Sequence, residues 1–236
     1  MRIKNRKLSI LWKAMILAFG LWGLLDGAGI LAGHYTKNFP HMFTNISNLA
    51  AWLYFACALL RKIGKRGHGN SESSEIFAPT FKYTVTVSLL VTMLIGHFMV
   101  FDAMFQGGHI VWHLVVLHYI IPVMVLLDWL LFDEKGRMPV WGPLSWVSLA
   151  LGYLVFTMIG VGVFGLYMGG GTTAELTPYP YVFLDPAIAG PGAVAGFCSA
   201  MLAGFVVLGY IMYGADKLMG QKAHLTGNKY GPNSSF

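Results

Sequence analysis

Long apolar runs broken by short polar segments dominate this sequence. Six runs reach the roughly 20 mostly apolar residues that a helix needs to cross a bilayer. They predict spans over Leu11–Ala32, Pro40–Leu60, Tyr83–Phe105, His109–Phe132, Leu144–Tyr167 and Ile188–Tyr213. In hydrocarbon every backbone N–H and C=O must find its partner within the protein, so segments of this kind read as helices. The predicted fold is all-α: an integral membrane bundle of six transmembrane helices over residues 1–216, with a polar cytoplasmic tail over 217–236. The opening Met-Arg-Ile-Lys-Asn-Arg-Lys resembles the start of a signal peptide. The run behind it outlasts the roughly 7–15 apolar residues of such a peptide, so it is read as a retained first helix.

Composition agrees. Hydrophobic residues make up 56% of the chain and charged residues 11%, against about 25% charged in a soluble domain. That is too little charge to coat a soluble globule. The net charge of +6 raises the question of nucleic acid. The basic residues, however, lie in breaks and tails between apolar runs, so they are read as topology signals and no nucleic-acid partner is expected. Of the 16 Lys and Arg, only Lys37 falls on one side of the predicted bundle. The others fall in the N-terminal segment, the second-to-third and fourth-to-fifth connections and the C-terminal tail. Basic residues collect on the cytoplasmic side, which predicts both termini inside.

Ionisable groups within spans are costly and mark candidate function. Here they are Asp26, His97, Asp102, His113 and His118, with Asp128 read as an interfacial anchor beside Trp129. At about 1.5 Å per residue, His97 and His118 each lie roughly 12–13 Å below the outer surface. The short turn Gln106-Gly107-Gly108 makes the third and fourth spans antiparallel neighbours, so the two imidazoles are expected at one level. His113, five residues before His118, is expected to face another wall. Pro122 removes a backbone donor, leaving a carbonyl near His118 in need of a partner. On the second span, after an N-cap at Asn38, residues Thr44, Ser47 and Asn48 form one polar stripe by their i, i+3 and i, i+4 spacing. Gly192, Gly196, Ala200 and Gly204 form a small-residue ridge, expected to pack within the bundle, with a homodimer through it as the weaker alternative.

At these residues the sequence resembles a known family. Three motifs carry the likeness: Phe43-Thr44-Asn45-Ile46-Ser47-Asn48, His118-Tyr119-Ile120-Ile121-Pro122 running on to Asp128-Trp129, and Tyr179-Pro180-Tyr181-Val182-Phe183-Leu184-Asp185 before the last span. In this order, with six spans, they resemble the androgen-induced gene 1 family, above all its prokaryotic six-helix members. The resemblance implies an intramembrane hydrolase of fatty acid esters of hydroxy fatty acids or similar lipids, with Thr44 as nucleophile and His118 as base. It implies no cofactor or metal, a lipid ester entering from the bilayer, and a place in a prokaryotic plasma membrane. A Thr hydroxyl becomes nucleophilic when a neighbouring base takes its proton, and a neutral imidazole serves near pH 7. Asn48, Asn45, Ser47 or His97 would steady the oxyanion or orient His118, Asn48 first among them. Asp26, Asp102 and Asp185 are candidate supporting acids. Two other classes stand beside this one: a b-type haem protein ligated by His97 and His118, and a proton-coupled transporter using Asp26 and the histidines.

Overall fold

The computed structural model describes residues 2–64, 77–169 and 177–228. It is all-helical, with six helices long and apolar enough to cross a membrane, the architecture of an integral membrane protein. They are α1 (Arg6–Gly27), α2 (Phe43–Gly64), α3 (Pro79–Met99), α4 (Trp112–Phe132), α5 (Gly142–Gly162) and α6 (Pro191–Asn228). Large apolar side chains on their outer faces are open to the surroundings, among them Phe98, Val163, Phe164 and Ile211. A surface of this kind suits lipid and not water.

Helices α1 to α4 pack around Ile16, Phe55, Leu89 and Val125. A second core, including Tyr83, Trp129, Trp146 and Phe205, joins α3 and α4 to α5 and α6. Close approach of α1 to α4 depends on glycine: a Cβ at Gly23 would lie 2.9 Å from Val116 and 3.1 Å from Leu117.

The basic segments gather at one end of the bundle. There the Ile3 amide donates to the Leu131 carbonyl and Arg6 to the Lys62 carbonyl, at 2.7 and 2.5 Å. Lys217 donates to the Gly136 carbonyl at 2.9 Å. Lys13 and Lys82, read from sequence as topology signals, fold inward. Lys82 donates to Asp128 at 2.6 Å and to Asp133 at 2.7 Å, and Lys13 pairs with the other oxygen of Asp128. Asp128 is fully buried, so it is the centre of an ion cluster tying α1, α3 and α4 together, not an interfacial anchor.

Several boundaries differ from expectation. Helix α2 starts at Phe43, because Phe39–His41 forms a separate 3-10 turn; Asn38 precedes that turn and makes no side-chain cap bond. Helix α3 stops at Met99, and Asp102 opens a short 3-10 turn beyond it. The link to α4 is a minimal hairpin of β1 (Phe105–Gln106) and β2 (His109–Ile110). Helix α6 runs to Asn228, well past Tyr213, held by Asp216, which accepts from the Gly136 and Met138 amides at 2.9 and 3.2 Å. The remainder of the expected tail, 229–236, lies outside the described residues, as does the stretch 65–76 of the second-to-third connection. A Cβ at Gly192, Gly196 or Gly204 would meet nothing within 4 Å, so these glycines of the small-residue ridge do not pack against the described residues.

Candidate active site

The site forms at the end of the bundle away from the ion cluster. Thr44 sits in the first turn of α2, and its Oγ1 lies 3.2 Å from His118 Nε2 on α4. The other ring nitrogen, Nδ1, lies 2.9 Å from the Leu114 carbonyl. A carbonyl can only accept, so Nδ1 carries the proton. In the neutral ring Nε2 then presents its lone pair to Thr44, whose hydroxyl donates. The imidazole is packed from behind by α3: a Cβ at Gly96 would fall 2.3 Å from His118 Cδ2.

The local geometry of α4 follows from Pro122. Residues Val116–Ile120 form a π-turn, and the Ile121 amide donates five residues back to the Val116 carbonyl. The next acceptor in that register is the Leu117 carbonyl, and its donor would be the missing N–H of Pro122. Asn48 supplies the replacement, donating from Nδ2 to the Leu117 carbonyl at 3.1 Å and to the Thr44 carbonyl at 2.8 Å. Both amide hydrogens of Asn48 are thereby committed. It positions α2 against α4 and has none left for an oxyanion.

The other predicted residues divide. Ser47 is buried, donates to the Thr44 carbonyl at 3.0 Å and lies 3.2 Å from Thr92 Oγ1, fastening α2 to α3. Asn45 lines the cavity and donates to the Phe39 carbonyl at 2.8 Å. His97 points away from the site. It is exposed, and its Nδ1 lies 2.9 Å from Tyr119 Oη. His97 is not on the wall of the cavity that His118 lines, and its partner is Tyr119. Asp26 meets His113 at 3.0 Å and not His118. His113, expected on another wall, lines the same cavity as His118. Asp102 is exposed beyond the end of α3, outside any span. Asp185 is buried and bonds within its own segment, not to the pair: it accepts from Thr177 at 2.6 Å and from the Ala187 amide at 2.8 Å, fixing the stretch before α6.

Thr44 and His118 open into a cavity of about 670 Å³. Its walls are mostly apolar, with Leu114, Leu117, Met201, Leu202 and Phe205 among them. Tyr181, from the segment before α6, also lines it. Its phenol oxygen accepts from the Phe43 amide at 3.0 Å. The sequence reading left Tyr181 and Gly96 without a role, although Tyr181 belongs to the third motif. No family model matches the chain, and neither a curated protein nor a solved structure matches it.

Proposed function

We propose that the chain is an intramembrane threonine hydrolase acting on lipid esters. The observation that carries the proposal is the Thr44 hydroxyl donating to an imidazole nitrogen whose proton-free state is set by the Leu114 carbonyl on the opposite side of the ring. A hydroxyl and a base in this relation form the working unit of an acyl-transfer enzyme. The apolar cavity of about 670 Å³ suits an acyl chain, and the resemblance of the three motifs to the androgen-induced gene 1 family points to the same chemistry. Fatty acid esters of hydroxy fatty acids are the substrate class to try first.

In the reaction, Thr44 Oγ1 attacks the ester carbonyl carbon and its proton passes to His118 Nε2. The carbonyl π electrons move to oxygen. Collapse of the tetrahedral adduct breaks the bond to the alcohol oxygen, which leaves with the proton from His118. Water, deprotonated by the same nitrogen, then releases the acid from acyl-Thr44 and restores the hydroxyl. The gathering of basic segments at the opposite end supports an orientation with both termini in the cytoplasm. The site then opens in the outer half of a plasma membrane, where an ester arrives from the bilayer.

The test is release of fatty acid from a mixed panel of such esters by detergent-purified protein, read by mass spectrometry. Thr44→Ala and His118→Ala should each abolish turnover, and the double variant should lose little more, as for residues acting as one unit. Folded wild-type protein with no Thr44-dependent release and no labelling by a fluorophosphonate probe would end this assignment.

A further inference from the structure

An acyl-transfer site needs a donor where negative charge develops on the substrate oxygen. Asn48 cannot supply it, since both its amide hydrogens are committed to the Leu117 and Thr44 carbonyls. Ser47 donates to a carbonyl as well, and its side chain is not on the cavity wall. Asn45 and Thr92 also line the cavity, but Asn45 donates to the Phe39 carbonyl at 2.8 Å and Thr92 lies 3.2 Å from the Ser47 hydroxyl, whereas the phenols of Tyr153 and Tyr181 stand beside the first turn of α2. Tyr153 donates to the His41 carbonyl at 2.9 Å, so its proton is also taken.

Tyr181 differs. Its oxygen accepts from the Phe43 amide at 3.0 Å. The amide and hydroxyl of Thr44 and the phenol of Tyr153 also surround it. The partners fixed on backbone are thus donors to the phenol oxygen, and among the described residues no carbonyl claims the phenol proton. These amides open a 22-residue helix, whose N-terminal end carries partial positive charge and polarises the phenol toward donation. The ring is held in place by stacking on Phe183 at 5.0 Å between centroids, with Phe183 in turn against Phe197 on α6 at 4.2 Å. Burial pushes the Tyr181 phenol above its ordinary range, so the proton is present at neutral pH.

Resting on the hydrolase assignment above, we propose that Tyr181 is a further catalytic residue, whose phenol hydrogen donates to the carbonyl oxygen of the ester as Thr44 attacks. In the free site that hydrogen faces the oxygens of Thr44 and Tyr153. The developing oxyanion is a stronger acceptor than either and draws it away. The proton stays on the phenol throughout, while the proton of Thr44 travels to His118. Tyr181 thereby takes the role that the sequence reading gave to Asn48, and the third motif enters the active site through its tyrosine.

The experiment uses the full-length protein in detergent with a long-chain p-nitrophenyl ester. Tyr181→Phe keeps the ring and its stacking but removes the donor. It should lower kcat roughly 10²–10³-fold with little change in KM. A second variant carries 3,5-difluorotyrosine at position 181, introduced by nonsense suppression. Its phenol is more acidic, so the alkaline fall of the kcat profile should move to lower pH, a displacement that a purely structural tyrosine would not produce. A folded Tyr181→Phe protein with wild-type kcat, or a difluorotyrosine profile that coincides with wild type, would overturn the role of Tyr181 while Thr44-dependent turnover left the hydrolase assignment standing. Wild-type protein without Thr44-dependent turnover would overturn both.

Discussion

Gly96→Ala probes the site without replacing either member of the Thr44–His118 pair. A Cβ added at Gly96 would lie 2.3 Å from His118 Cδ2, 2.9 Å from Cγ and 3.1 Å from Cβ. Ordinary contact begins at 3.4 Å, so the ring must give way by about 1.1 Å, the difference between 3.4 and 2.3 Å. It has little freedom to do so. Its Nδ1 is tied to the Leu114 carbonyl at 2.9 Å on the same helix, and the side chain is 5% exposed. The Nε2 contact to Thr44 is already 3.2 Å long. If His118 is the base of the proposed hydrolase, moving it by this amount should cost on the order of 10²-fold in rate, the usual penalty for a displacement of about 1 Å in a catalytic group. Overpacking costs about 1–3 kcal/mol, partly offset by about 0.5–1 kcal/mol from replacing a helical glycine by alanine.

The assay pairs initial rates of ester release with thermal unfolding in the same detergent. Gly152→Ala is the control, because a Cβ there meets nothing within 4 Å. It should leave the rate unchanged and hold or slightly raise the melting temperature. A folded Gly96→Ala protein with a rate close to that of wild type would refute the reasoning: the imidazole would not be held where the Thr44 contact requires it, and the pair would lose its claim to act as a unit.

Three further outcomes follow from the same geometry. Asn48→Ala leaves the Leu117 carbonyl without its donor; it should cost about 1–3 kcal/mol of stability in thermal unfolding, and kcat should fall far less than the roughly 10²–10³-fold of a lost oxyanion donor. Asp128→Ala strands Lys13 in the interior, leaves Lys82 with Asp133 as its carboxylate partner, and should cost about 3–5 kcal/mol; an unchanged melting temperature would show that the buried cluster holds nothing together. A cysteine at Ser73, in an otherwise cysteine-free protein, should react with an impermeant maleimide only after the membrane is opened, and labelling from outside intact cells would reverse the proposed orientation.

Hydropathy alone located all six helices, because a bilayer imposes a length and a composition that few other environments demand. It misjudged their ends where polar side chains serve the fold. Helix α1 begins at Arg6 and not Leu11, since the Asn5 side chain caps it at the Leu8 amide and Lys13 turns inward to Asp128. Helix α6 outlasts its apolar run because Asp216 and Lys217 bind the backbone around Gly136. Lys82 counts as a loop charge in any tally of basic residues, yet it is 2% exposed between two carboxylates. Thr44, Ser47 and Asn48 were legible as a stripe because helical spacing is local. The pairing of Asp26 with His113, or of the Phe43 amide with a phenol 138 residues away, was not. Such contacts depend on which helices become neighbours and in what rotation, and no periodicity in a single chain records that.

The π-turn in α4 explains why rotation matters so much here. One extra residue in a turn swings everything before it by about 100° relative to a regular helix. Leu117 and His113 thereby face the glycines of α1, with a Cβ at Gly27 falling 3.4 Å from His113, while His118 packs on Gly96 of α3. The turn carries a cost, a carbonyl deprived of its donor by Pro122, and Asn48 meets it from the same helix that bears Thr44. Thr44 and the bulge are therefore fixed by one side chain, one helical turn beyond Thr44 itself. The ionic groups that lock α1, α3 and α4 lie at the other end of the bundle, where they cannot compete with His118 for the Thr44 proton. The hydroxyl thus faces the proton-free nitrogen of an imidazole held in one tautomer by the Leu114 carbonyl, the relation that the proposed hydrolase would need to activate a threonine in a medium with little water.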